Sequence, residues 1–266
     1  MGSERVEVHV EDGVADVVLS RPEKHNALDI AMFEGIAAAT ERLGQEPGLR
    51  VVLLHGEGPS FCSGLDFTSV MADGGGPWSQ LERPGSSPPN RFQRAAYDWI
   101  SLPVPVIAAV HGACFGGGLQ IALAADVRFA TADARLSVME IKYGLVPDMS
   151  ITRTLPRLVG VDVAKELTYT GRVISGAQAA DLGLVTHVSE DPLAAARELA
   201  TEIAARSPEA VRAAKRLLDE SWNEASAERA LALEEELQLG LIGSPNQLES
   251  VSAVLGKRSP EFPHPA

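Results

Sequence analysis

Two cysteines, Cys62 and Cys114, are all that 266 residues contain. That is too few for a disulfide framework, and it fits a reducing compartment. Nor is either thiol placed as a nucleophile, since no partnering base stands near it in the sequence. Positive charge is also scarce. Twenty-three Lys and Arg face 36 Asp and Glu, for a net charge of −13, which argues against nucleic acid and anionic membrane surfaces as main partners. No apolar run approaches the ~20 residues needed to cross a bilayer. Residues 1–20 are charged and alternate apolar with polar side chains, unlike a secretory leader. The expectation is a soluble, cytoplasmic protein. The histidines are scattered and no Cys/His spacing suits a metal, so none is expected. Internal repeats and heptads are absent as well. What remains is the composition of a soluble globule, 45% hydrophobic and 22% charged, long enough for one large core with a smaller helical part.

The most informative stretch is Ile107–Asp126, IAAVHGACFGGGLQIALAAD. A buried strand over Val104–Val110 runs into His111-Gly112 and the triplet Gly116–Gly118, and an apolar helix is expected over Leu119–Ala125. Glycines clear side chains from the path of an approaching group, and the first amides of a helix point outward unpaired. Such a turn can hold a phosphate or a developing oxyanion; the plainer reading is tight strand–helix packing. The spacing of a dinucleotide-binding GxGxxG loop is absent. A second strand, Val51–Leu54, ends in a similar small-residue loop, Ser60-Phe61-Cys62-Ser63-Gly64-Leu65-Asp66.

Elsewhere Val6–Val10 and Val14–Leu19 read as an antiparallel hairpin around Glu11-Asp12-Gly13. A helix is expected from an Asp29 N-cap to Leu43, another over 90–101, and short strands at Val127–Ala130 and Arg135–Val138. The segment 67–89, rich in Gly, Pro and Ser, reads as a long loop. Strands alternating with helices to residue 138 predict a mainly parallel sheet with helical cover. Beyond Ile151 helices dominate, at 152–158, 161–169, 176–181, 192–206, 208–221, 224–241 and 247–255, with an extended insert at 182–188.

Three ordered motifs resemble the enoyl-CoA hydratase/isomerase (crotonase) superfamily: Arg21-Pro22-Glu23-Lys24-His25-Asn26-Ala27-Leu28, then Phe61-Cys62-Ser63-Gly64-Leu65-Asp66, then the Gly112–Leu119 turn. The resemblance runs from about Val6 to Phe262. It implies an α/β spiral of repeated ββα units, with a core over 1–200 that holds an acyl-CoA site and a C-terminal helical region over 201–266. It also implies a homotrimer or a hexamer of paired trimers, and an acyl-CoA thioester substrate whose coenzyme A is no separate cofactor. By position, the amides of Ser63 and Gly117 would form the oxyanion hole. The nucleophile reading of Ser63 lacks an adjacent histidine. Lys24, Ala27, Leu65, Asp66 and Lys257 would bind CoA. The plainer reading of Lys257-Arg258 is a solvated helix end, and Val254 replaces the family's usual phenylalanine. His25 and His111 read as structural.

Hydratases of the family place glutamates at the positions of Gln120 and Glu140. Gln120 can position a water or a substrate but cannot take its proton. Glu140 is kept, and Asp148 stands eight residues on. That pair resembles the Δ3,5-Δ2,4-dienoyl-CoA isomerases, which carry a further acid at the position of Gln120; 3-hydroxyisobutyryl-CoA hydrolases show a similar Glu…Pro-Asp pattern. Two carboxylates facing one apolar tunnel can hold different protonation states. The plainer readings are Asp148 as N-cap of the helix near Ile151 and Glu140 as a surface carboxylate. The sequence-based expectation is an isomerase-type proton shift, with enoyl-CoA hydratase or a catalytically silent acyl-CoA binder as alternatives.

Overall fold

Val8 faces Val17 across an antiparallel hairpin of β1 (Val6–Glu11) and β2 (Val14–Leu19) in the computed structural model, which describes residues 5–72, 89–222 and 224–263. The turn is Asp12-Gly13, both at positive φ. Ala15, Val17 and Leu19 are buried while their neighbours are not, the period-two pattern of a sheet with one covered face. β2 then runs parallel to β3 (Val51–Gly56), β3 to β4 (Val106–Val110), β4 to β6 (Val127–Ala130), and β6 to the short β9 (His187–Val188). The sheet order is β1-β2-β3-β4-β6-β9.

The central strands are unbroken apolar runs because both of their faces are covered. Val52, Leu54, Val106, Ala108 and Val110 turn into the main core with Trp99 and Leu119. Val51, Leu53, Ile107 and Ala109 face the other way, onto Ala196 and Ala200 of the Pro192–Ala204 helix.

A second sheet, β5 (Ala113–Phe115), β7 (Arg135–Ser137) and β8 (Ile174–Ser175), stands beside the first. Its strand β5 lies where the sequence suggested only a glycine turn. The chain passes repeatedly from the large sheet to the small one and on to a helix. Thus β4 leads to β5 and the helix Gly117–Leu123, and β6 leads through β7 to the helix Ile151–Leu158. β3 leads to a lone bridge between Cys62 and Cys114 and then to the helix Phe67–Ala72. This is a spiral of ββα units. It leaves no sequence repeat because the backbone, not the side chains, recurs.

Helices are numbered α1 (Ile30–Gly44), α2 (Phe67–Ala72), α3 (Arg94–Ser101), α4 (Gly117–Leu123), α5 (Ile151–Leu158), α6 (Val161–Thr170), α7 (Gly176–Asp181), α8 (Pro192–Ala204), α9 (Pro208–Ser221), α10 (Ala227–Leu241) and α11 (Pro245–Gly256). Asp29 caps α1 as expected, its carboxylate accepting from the Met32 amide at 2.8 Å. The expected loop at 67–89 is corrected at its start, which is α2; its remainder, 73–88, lies outside the described residues. The C-terminal helices attach to the core by cations on backbone carbonyls. Arg212 reaches Leu49 at 2.9 Å, Lys215 reaches Val104 at 3.0 Å, and Arg50 donates back to Phe262 at 2.9 Å.

One ion cluster joins distant parts of the chain. Asp16 accepts from His55 Nε2 at 2.7 Å and from Arg197 on α8 at 2.6 Å. The His55 and Arg197 bonds, against the opposing effect of burial, hold its carboxyl down to about 2. A depressed carboxylate stabilises the fold above its unfolded pKa, and that stability is lost as pH falls from about 4 toward 2. Asp16→Asn is expected to cost up to about 2 kcal/mol at pH 7. In urea titrations the difference from the parent chain should shrink steadily below pH 4.

Candidate active site

Two loops meet edge to edge beneath a cavity of about 500 Å³. The Cys62 amide donates to Ala113 O at 3.0 Å, and the Phe115 amide donates to Cys62 O at 3.0 Å. Glycine is required on both sides. Gly64 sits at φ +87, where a Cβ would lie 2.7 Å from Phe115 O. A Cβ on Gly118 would lie 2.4 Å from Cys62 O. Side chains there would push the loops apart.

The crossing decides which amides are free. Sequence position suggested Ser63, but its N–H donates to His25 O at 2.9 Å. Leu65, two residues on, pairs in parallel with Leu28. Leu28 donates to Gly64 O at 2.8 Å, and Asp66 donates to Leu28 O at 3.0 Å. The Leu65 N–H between them has no acceptor among the described residues, and Leu65 lines the cavity. Across from it, Gly117 is the first residue of α4, two residues earlier than the sequence suggested, with its amide at the unpaired end of the helix. Leu65 and Gly117 therefore both line the cavity with amides that take no acceptor among the described residues.

Two buried polar side chains hold the loop 21–29 against this crossing. Asn26, fully buried, donates to Ser60 O at 2.8 Å and Glu57 O at 2.9 Å, and accepts from the Arg21 amide at 2.8 Å. Arg21, 7% exposed, meets Asp66 at 2.9 Å and Ala27 O at 3.0 Å. Asp66 in turn accepts from the Thr68 and Ser69 amides that open α2, at 3.1 and 3.2 Å. Sequence reasoning gave neither Asn26 nor Arg21 a role. Their signal was chemical: an Arg and an Asn inside a loop with too few neighbours of its own to satisfy them.

The carboxylates come next. Glu140 opens a single 3-10 turn over Glu140–Tyr143. A Cβ on Gly116 would come within 3.3 Å of its Oε1, so the carboxylate sits against the glycine turn. Gln120, 1% exposed on α4, donates through Nε2 to Glu140 Oε1 at 2.7 Å and accepts from the Met149 amide at 2.7 Å. Glu140 Oε2 is buried with no partner among the described residues. Burial pushes the Glu140 carboxyl up and the charge of Asp148 adds to this, against the Gln120 hydrogen bond.

Asp148 lines the same cavity. It does not cap α5, whose N-cap is Ser150 with no side-chain bond closing it. Asp148 is exposed at the edge of the cavity, and the partial desolvation it meets there raises its carboxyl too. Cys62 is pushed up to about 12 by burial, and Cys114 also rises, so neither thiol is an available nucleophile.

The residues expected to hold CoA are less uniformly placed. Lys24 is exposed at the end of a 3-10 turn, and its carbonyl accepts from Ser63 Oγ at 3.4 Å, which places it at the loop crossing. The amides of Ala27 and Asp66 are engaged, with Lys24 O at 3.0 Å and with Leu28 O. Lys257 is exposed in a left-handed turn ending α11, and no contact among the described residues joins it to the cavity.

The chain matches the family model described as enoyl-CoA hydratase/isomerase over residues 9–265. It is 34% identical to the peroxisomal Δ(3,5)-Δ(2,4)-dienoyl-CoA isomerase of Arabidopsis thaliana, covering 97% of this chain and 96% of that protein. It is equally 34% identical to a probable enoyl-CoA hydratase of Bacillus subtilis, covering 97% and 98%. Among solved structures, the enoyl-CoA hydratase of Bacillus anthracis superposes with a TM-score of 0.87 at 31% identity, covering 97% of this chain and 98% of that one. The protein belongs to the enoyl-CoA hydratase/isomerase family, and its fold is the crotonase spiral that the ordered motifs implied.

Gln120 is the joint between α4, Glu140 and the Asp148-Met149 peptide. Gln120→Leu would leave the buried Met149 amide and Glu140 Oε1 without their partner. The expected cost is about 1–3 kcal/mol of stability, measured by denaturant unfolding. A Gln120→Glu variant keeps the size but cannot donate to a charged Glu140, and should show the larger loss in pH 8 than in pH 5 buffer.

Proposed function

We propose that this enzyme moves a double bond within an unsaturated acyl-CoA by a two-carboxylate proton shift. The observation that carries the reading is that Glu140 and Asp148 line one cavity, with an amide, Gln120, where a hydratase needs its second water-holding carboxylate. In a 3,5-dienoyl thioester, one carboxylate takes a proton from C2. The electron pair spreads over the dienolate, and the thioester oxygen takes up charge facing the Leu65 and Gly117 amides. The other carboxyl returns a proton at C6, leaving the 2,4-diene. Each turnover inverts the protonation of the pair, and exchange with solvent restores it. Backbone donors in a water-poor site are each worth on the order of 2.7–4 kcal/mol of barrier.

Lys24 and Lys257 are the cations proposed to meet the CoA phosphates. Lys257 would do so from a neighbouring subunit. Exposed Trp222 on the segment after α9, Leu239 on α10 and Val254 on α11, 60%, 64% and 77% accessible, support association of copies through the C-terminal helices, as in the trimer or hexamer expected from the family resemblance. Hydration of a 2-enoyl-CoA is the second reading, favoured by the retained Glu140.

Purified protein given a 3,5-dienoyl-CoA should develop 2,4-diene absorbance, while a 2-enoyl-CoA should keep its enoyl absorbance. Hydration without diene formation would sink the isomerase reading. Glu140→Gln and Asp148→Asn should each lower kcat by about 10²–10⁴-fold with CoA-ester binding retained. Unchanged turnover in the first would instead favour a silent binder. Because one group must be ionised and its partner protonated, kcat should be bell-shaped in pH, and both limbs should lie above the ordinary carboxylate range.

A further inference from the structure

Aromatic residues make up only 5% of the chain: seven Phe, three Tyr and three Trp. Yet Phe33, Phe67, Phe92, Phe115 and Tyr143 all line the cavity that holds Glu140 and Asp148. They come from α1, α2, the turn before α3, β5 and the 3-10 turn, so no local run of composition brings them together. Phe33 and Phe92 are buried at 2% and 5% and meet edge to face, centroids 5.1 Å apart at 78°. Phe67 and Tyr143 stack at 4.1 Å and 29°. Tyr143 is 54% exposed, so this second pair stands at the mouth. The ring of Phe115 carries the Arg135 guanidinium 5.4 Å from its centroid.

Burying a saturated alkyl chain needs apolar area and nothing more, and leucine or valine supplies it. Rings reward a particular guest. Their negative faces and positive edges favour another ring in edge-to-face or offset contact, beyond area burial. Methionine sulfur adds to this, and Met139 and Met149 share the wall. A ring also loses less rotor freedom on binding than an alkyl chain of equal carbon count. The volume, about 500 Å³, is within the usual range for small-molecule sites.

We propose that the acyl group selected by this cavity carries an aromatic ring, so that the substrate is an aryl-bearing unsaturated acyl-CoA. The proposal rests on the acyl-thioester reading of the site but not on the choice between isomerase and hydratase. Calorimetric titration with 3-phenylpropanoyl-CoA and with nonanoyl-CoA, each with nine acyl carbons and neither a substrate for a double-bond shift, tests it directly. The phenyl ester should bind about 3–10-fold more tightly, the value of one or two ring contacts. Phe92→Leu keeps an apolar wall without the ring, and should reduce the preference about threefold while nonanoyl-CoA binding stays within about twofold. If that variant fails to fold by circular dichroism, Tyr143→Leu at the exposed mouth takes its place with the same expectation.

Equal affinities, or a preference for nonanoyl-CoA, would overturn the proposal. So would a phenyl preference that the ring substitution leaves untouched. If neither ester binds, the acyl-thioester reading falls with it. A ring-dependent phenyl preference in a protein that turns over no dienoyl-CoA leaves the substrate class standing and removes only the isomerase.

Discussion

The site depends on one close approach: the loop after β3 lies against the strand β5 and the start of α4 with backbone touching backbone. Cys62 exchanges hydrogen bonds with Ala113 and Phe115, and a Cβ on Gly118 would stand 2.4 Å from the Cys62 carbonyl. No side chain larger than hydrogen fits there. This is why small residues crowd both loops, and why two thiols end up fully buried with raised pKa values. It also brings Leu65 and Gly117, one from each loop, to the lining of one cavity. Amide donors held this way need no reorganisation when charge develops, and that is the source of their strength.

A crossing of bare backbone leaves carbonyls to be satisfied, and the loop 21–29 supplies the donors. Asn26 reaches three carbonyls of the 57–61 segment, at 2.9, 2.8 and 3.2 Å. Arg21 is a buried cation placed between Asp66 and Asp29, at 2.9 and 3.5 Å, and Arg5 adds to Asp29 at 3.0 Å. Isolated, such a charge would cost several kcal/mol to desolvate. Here those two carboxylates, the Ala27 carbonyl and, at 3.9 Å, Glu23 answer it. The first motif of the sequence is thus a clamp as well as the loop that carries Lys24. It holds the peptide on which Leu65 presents its amide.

What could be read from the sequence follows from what each signal encodes. Alternation and apolar runs gave the strands of the large sheet, and Asp29 before a helical period gave the start of α1, because those signals are local. Residues 113–115 were hidden as a strand, since a three-residue strand among glycines has neither length nor alternation. Position in the motif pointed to the Ser63 amide, whereas that N–H is engaged with His25 O and the Leu65 N–H is the one left without an acceptor among the described residues. In an unbroken extended chain residues two apart would point their amides the same way, but Gly64 between them stands at φ +87 and turns the chain, so a motif aligned by position cannot say which of the two N–H groups faces the cavity. That depends on the pairing of Leu28 with Leu65. The contacts of Asp16 with Arg197, and the convergence of Phe33 with Phe92, join residues far apart in the chain and leave no mark in either neighbourhood.

The amide at position 120 ties the chemistry to the architecture. Its oxygen accepts from the Met149 amide and its nitrogen donates to Glu140. A carboxylate could take the first partner but would repel the second. In a cavity where desolvation already raises both Glu140 and Asp148, a third negative charge would push those pKa values further and favour protonated, hydrogen-bonded forms. With glutamine, Glu140 keeps one oxygen anchored and leaves the other, Oε2, unpartnered among the described residues. One fixed oxygen and one open one suit a group that handles a proton at carbon. Holding an attacking water calls for acceptors on two sides, and Gln120 already has its oxygen engaged. For the proposed proton shift, Gln120 leaves Glu140 with one anchored and one open oxygen in the cavity that Asp148 also lines.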